Sequence, residues 1–199
     1  MRRNWKLNYY LQNQSPLSLL VWVFLLSFML GCAKLPSVGY NKSYAPEQPL
    51  LYDHAVHAGK LKLDCQYCHY QVTRSKQAAV PDLKTCMNCH LTVRSNKPEV
   101  KKLVDAYLNQ KSIRWVRVNM LPDFVRFDHR PHVALRGFTC QSCHGPVETM
   151  AVYYQHSDLS MGWCVRCHDN PQNNPTGLSV MHGPVPTGPG PKHCGACHY

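Results

Sequence analysis

The sequence is poor in the side chains that ordinarily fill a protein interior, with only five Phe along its whole length. A chain of this size excludes a large multidomain enzyme, and its stock of aliphatic and aromatic core groups is thinned. Acidic residues are also scarce, 11 against 22 Lys and Arg, for a formal charge of +11. Strands are hardly signalled, and the apolar run from Leu17 to Leu30 is too short to cross a bilayer comfortably. What abounds instead is 11 Cys, 12 His and 15 Pro. Metal-binding side chains have multiplied where packing ones are few, so something other than side chains fills the middle.

Arg2, Arg3 and Lys6 precede the apolar run, which ends at Met29-Leu30-Gly31-Cys32. A basic start, a short apolar stretch and a small residue before cysteine have the layout of an export signal. The end of the run resembles a bacterial lipoprotein processing site, with Cys32 as the lipidated residue; an uncleaved short anchor helix is the alternative. Either reading puts the rest of the chain outside the cytoplasm, on the periplasmic side of a bacterial membrane. Setting aside 1–31 removes three basic side chains and no acidic one, so the formal balance of the remainder falls to +8.

Beyond Cys32 ten cysteines remain, and all fall in one repeated pattern. Cys-x-x-Cys-His occurs at Cys65-Cys68-His69, Cys86-Cys89-His90, Cys140-Cys143-His144, Cys164-Cys167-His168 and Cys194-Cys197-His198. On a helical turn, two thiols three apart lie on one side, where they can form thioethers with the two vinyl groups of one haem, and the adjoining imidazole falls under the iron. Zinc closes with four ligands, whereas these motifs come as five sets of three. A thioredoxin-like disulfide needs one Cys-x-x-Cys in a βαβ setting. The expectation is five covalently bound haem c. With about 34 residues per haem, the porphyrins form the core. Their propionates also offset the +8, which argues against nucleic acid as a partner; Trp115, Trp163, Tyr153, Tyr154 and Phe138 read as packing against porphyrin faces.

The chain also repeats itself. Tyr52-Asp53-His54-Ala55-Val56-His57 precedes Cys65, and Phe127-Asp128-His129-Arg130-Pro131-His132 precedes Cys140, with one constant offset relating the Asp, both His and both Cys of the two copies. Histidines at i and i+3 can face two different irons, so His54, His57, His129 and His132 are expected as distal ligands of four haems. The fifth distal ligand is not set by spacing. His182 and Met161 rank level, Met150 and His156 are alternatives, and His193 adjoins Cys194 too closely to reach across its own haem.

The expected organisation is a signal peptide (1–31), a lipid-anchored tether (32–50), a first two-haem unit (51–97), a helical connector (98–125), a second two-haem unit (126–170), and a Pro-rich linker with the fifth haem (171–199). Val100, Leu103, Val104, Tyr107 and Leu108 have helical spacing within 98–111. The fold class is mainly α and irregular, with little β and a haem-filled core.

Paired His-x-x-His before Cys-x-x-Cys-His resembles the class III multihaem cytochromes c. Trp115-Val116-Arg117-Val118, Leu121-Pro122-Asp123-Phe124-Val125, Phe127-Asp128-His129 and Ser160-Met161-Gly162-Trp163-Cys164 are similar to stretches of the pentahaem cytochrome subunit of alternative complex III and its menaquinol-reductase relatives. That resemblance implies a periplasmic electron-transfer subunit between a quinol-oxidising or iron–sulfur partner and a downstream cytochrome or oxidase. Its partners would be other subunits of a membrane redox complex or soluble cytochromes. A free-standing lipid-anchored carrier is the rival. With both axial positions filled on each iron no substrate site is open, so an enzyme, such as a small multihaem reductase, is the weaker reading.

Overall fold

The computed structural model describes residues 15–32, 41–174, 180–181, 184 and 186–199. The chain divides into two units, Met1–Gly39 and Tyr40–Tyr199. In the first, helix α1 (Pro16–Cys32) takes in the whole apolar run, and Leu17, Leu20, Trp22 and Phe24 are exposed along it. Among the described residues no helix is long and apolar enough to cross a membrane. The start of the expected signal peptide (1–14) and positions 33–40 of the tether lie outside the described residues.

The second unit is built from short helices, each placed by a motif. Helix α2 (Cys65–Cys68) opens at Asp64, whose carboxylate accepts from Gln66 N at 2.7 Å. Helix α3 (Leu83–His90) opens at Asp82, which accepts from Thr85 N at 2.8 Å, and α4 (Pro98–Leu108) packs against it. Helix α5 (Gln141–His144) is a single turn, and α6 (Met161–Asp169) opens at Ser160, which accepts from Trp163 N at 3.0 Å. A side-chain oxygen at the N-cap satisfies an otherwise free amide of the first turn, so the caps fix where the helices carrying the first, second and fourth motifs begin. The last motif lies on a 3₁₀ turn, Cys194–Ala196.

Two wide helical turns, Ala55–Lys60 and Pro131–Leu135, carry the second histidine of each His-x-x-His segment, with the first just ahead of the turn. They close alike: Leu63 N donates to His57 O at 3.0 Å and Phe138 N to His132 O at 3.1 Å. The first turn packs on a 3₁₀ turn at Val147–Thr149, where Gly59 comes so near Glu148 O that a Cβ would stand 2.3 Å from it. No sheet forms among the described residues; Phe138 and Val180 make an isolated antiparallel bridge.

The apolar core is thin, as the composition requires, with Leu50, Val72, Met87, Val118, Phe138 and Trp163 among its few buried members. Polar groups knit the rest. Gln155 is wholly buried: its Oε1 accepts from Met120 N at 2.9 Å and its Nε2 donates to Ser157 O at 2.9 Å. Its backbone accepts from Ser43 N at 2.7 Å and donates to Tyr44 O at 3.0 Å. Positions 41–50, read above as part of the tether, are therefore docked on the body; Gln48 also exchanges hydrogen bonds with the Val116 backbone at 2.9 and 3.0 Å. A buried amide that finds partners at both ends holds separate segments together where apolar contacts are few.

Candidate functional site

None of the ten motif cysteines is paired in a disulfide. Their neighbouring imidazoles are held in one recurring way. His69 Nδ1 lies 2.6 Å from Ala79 O, His90 Nδ1 3.0 Å from Val93 O, His168 Nδ1 2.6 Å from Pro191 O, and His198 Nδ1 3.1 Å from Phe124 O. A carbonyl can only accept, so Nδ1 carries the hydrogen and Nε2 keeps its lone pair for a metal. His144 is the variant, its Nδ1 lying 2.8 Å from the Tyr153 hydroxyl, which also accepts from Asn119 Nδ2 at 2.8 Å.

Three of the four expected distal histidines follow the same rule. His57 Nδ1 lies 2.8 Å from Asp53 O and His132 Nδ1 2.9 Å from Asp128 O, a duplicated bond, while His129 Nδ1 lies 2.7 Å from Lys76 O. An aromatic ring sets both rings of each pair. Tyr52 stacks on His57 at 4.5 Å and meets His54 edge-on at 4.8 Å; Phe127 lies 4.8 Å from His132 and meets His129 edge-on at 4.8 Å. The aromatic at the head of each repeat thus splays its two imidazoles in different directions.

Where they point is informative. His57 faces His90 with ring centroids 6.1 Å apart, His132 faces His168 at 6.1 Å, and His129 faces His144 at 6.5 Å. Two imidazoles bonded at about 2 Å from opposite sides of a single metal ion have centroids roughly 6 Å apart. His54 lies beside Tyr153 at 5.4 Å and near enough to His69 to feel its charge; its Nδ1 is buried without a protein partner. Among the described residues no three Cys, His, Asp or Glu side chains converge as a direct metal cage. Facing imidazole pairs with adjacent paired thiols fit haem, whose porphyrin supplies four of the iron ligands itself. The Trp163 indole N–H, buried with no protein acceptor, fits a group that brings carboxylates.

Of the candidates for the fifth distal position, His182 lies outside the described residues. Met161 heads α6 with its side chain 73% exposed, and Met150 is buried at 4%. His156 packs against Gly145 and Tyr154, and His193 is exposed beside Cys194. Cys32 closes α1 in the separate first unit.

The pKa shifts suit ligands that must be neutral. Burial, reinforced by His69 and His57, lowers His54 to about 4, and burial with His129 and His69 lowers His144 to about 4; burial also lowers His132.

Gly190 is a second point of leverage. A Cβ there would stand 2.7 Å from Cγ of His168, whose ring cannot retreat because its Nδ1 is held at Pro191 O. Gly190→Ala should perturb one low-spin signal in the electron paramagnetic resonance spectrum of the oxidised protein and leave the others in place.

Sequence reasoning missed the acceptors. Carbonyls of Asp53, Lys76, Ala79, Val93, Phe124, Asp128 and Pro191 carry no residue signature, and Tyr153, read above as packing, is a hydrogen-bond partner. The repeat did display Tyr52 and Phe127 at matching positions.

These sites define a multihaem cytochrome c, and the comparisons with known proteins agree. Residues 33–118 match the class III cytochrome c family, and residues 125–199 match cytochrome c7 and related cytochrome c. The chain is a multihaem cytochrome c similar to both families, each over less than half of its length. It is 27% identical over 165 residues to the menaquinone reductase multiheme cytochrome c subunit of Nitratidesulfovibrio vulgaris, covering 72% of this chain and 77% of that protein.

Proposed function

We propose that this chain is a pentahaem electron-transfer subunit, tethered by lipid on Cys32 to the periplasmic side of a bacterial membrane. It would pass electrons from a quinol-oxidising or iron–sulfur partner to a downstream cytochrome or oxidase. The observation that carries the reading is the set of imidazoles facing each other at 6.1–6.5 Å with Nδ1 anchored. Bound haem supplies an iron that takes up and releases one electron at a time. The protein's part is to hold His69, His90, His144, His168 and His198 on the motif side and His54, His57, His129 and His132 on the other. The anchored Nδ1 fixes every ring but that of His54, and burial disfavours protonation of His54, His132 and His144. A filled coordination sphere favours conduction over substrate chemistry. The likeness to a menaquinone reductase subunit supports partners in a quinol-linked complex.

Intact mass of the mature membrane-extracted protein tests the whole reading. It should show five haem additions and a diacylglyceryl group on Cys32, and Cys32→Ser should release the protein from the membrane. Fewer additions, or a chain still membrane-bound after that substitution, would overturn the count or the anchor respectively.

A further inference from the structure

The five motifs do not neighbour one another in chain order. Tyr67, inside the first motif, accepts from Asn88 Nδ2 of the second at 2.9 Å, which sets these two side by side. The first also meets the third. Tyr153 stands between His54, at 5.4 Å, and His144, whose Nδ1 it bonds at 2.8 Å. The third and fourth share Phe127, which touches both His129 and His132 at 4.8 Å; these face His144 and His168 in turn. The fourth adjoins the fifth: His168 is held by Pro191 O at 2.6 Å, and Lys192, just ahead of Cys194, pairs with Asp169 at 2.5 Å.

The reason lies in the repeat. Each His-x-x-His segment serves two sites and therefore ties them together, but it precedes the first motif of its pair. The link between pairs is made through the first and third motifs, because the Ala55–Lys60 turn packs on Val147–Thr149 just after the third. The second motif is thereby pushed to the outside.

We propose that the five sites stand in one row in the order second, first, third, fourth, fifth, so that the second and fifth are the ends where electrons are exchanged with partners. An independent observation agrees. Of the ten motif cysteines, Cys89 and Cys194 are the two exposed ones, and they belong to the second and fifth motifs. One electron taken from a quinol-linked or iron–sulfur donor at one end is matched by one released to a cytochrome acceptor at the other, with no bond made or broken. The proposal rests on the pentahaem reading above.

Nuclear magnetic resonance of the fully reduced, diamagnetic holoprotein tests it. Each haem is assigned through contacts between its thioether groups and its own two cysteines. Through-space proton contacts between haems should join second to first, first to third, third to fourth and fourth to fifth. Chromium(III) hexacyanide, a soluble paramagnetic probe, should broaden the signals of the second and fifth haems most. A contact joining the second haem directly to the third or fourth, or strongest broadening at the first or third, overturns the order while leaving five haems in place. A mass short of five haems instead removes the reading beneath it.

Discussion

Made without haem attachment, the chain should show no cooperative unfolding transition and should lose most of its fixed side-chain environment. Buried apolar side chains are few and lie apart, from Leu50 and Val72 to Phe138 and Trp163, and no sheet links the described segments. Ordering a residue costs about 1–2 kcal/mol in backbone entropy, and burial of so few side chains does not offset that over the body of this protein. The polar knots at Gln155 and Ser157 add specificity but little net free energy, since each bond replaces one made to water. Near-ultraviolet circular dichroism and guanidinium titration of protein expressed without the haem-attachment machinery check this. A sharp transition in that material would mean that the side chains alone suffice as a core.

His57→Ala should convert one haem to a form that binds carbon monoxide and leave the remaining low-spin signals unchanged. The imidazole removed is stacked on Tyr52, anchored at Asp53 O and faces His90 across 6.1 Å. Alanine leaves His90 with no opposite number, so one axial position opens. His57→Met instead offers a thioether and should raise one midpoint potential by a sizeable part of the roughly 0.8 V that axial ligands command. His132→Ala and His132→Met should behave alike, because Phe127, Asp128 O and His168 reproduce the same surroundings. Unaltered carbon monoxide binding and an unchanged redox titration in both positions would remove His57 and His132 from the ligand set.

The cofactor was legible in the sequence because covalent attachment demands a rigid spacing, and Cys-x-x-Cys-His either has it or does not. The histidine pairs stand out in the sequence for a related reason: Asp53 and Asp128 recur with both imidazoles at a constant offset. The amphipathic spacing within 98–111 also matched a real helix, Pro98–Leu108. What stayed hidden depends on backbone placement. Any residue has a carbonyl, so nothing marked Ala79 or Pro191 as the one that orients an imidazole. Positions 41–50, with Pro46 and Pro49, have the composition of a linker, yet dock through Gln155 and Gln48 because their bonds reach groups far along the chain. The fifth distal ligand stayed open because the last motif has no His-x-x-His segment of its own.

Several of the anchoring carbonyls belong to a neighbouring site. Lys76, in the segment between the first two motifs, holds His129 of the third site; Pro191, which leads into the fifth motif, holds His168 of the fourth; Phe124 holds His198 from outside its own motif. The molecule is therefore laced rather than modular. Excising the last motif together with its lead-in, to make a shorter cytochrome, would unseat the imidazole of the motif before it, so haems cannot be added to or trimmed from this scaffold like beads. A lineage that changed its haem number would have to rebuild the adjoining site at the same time.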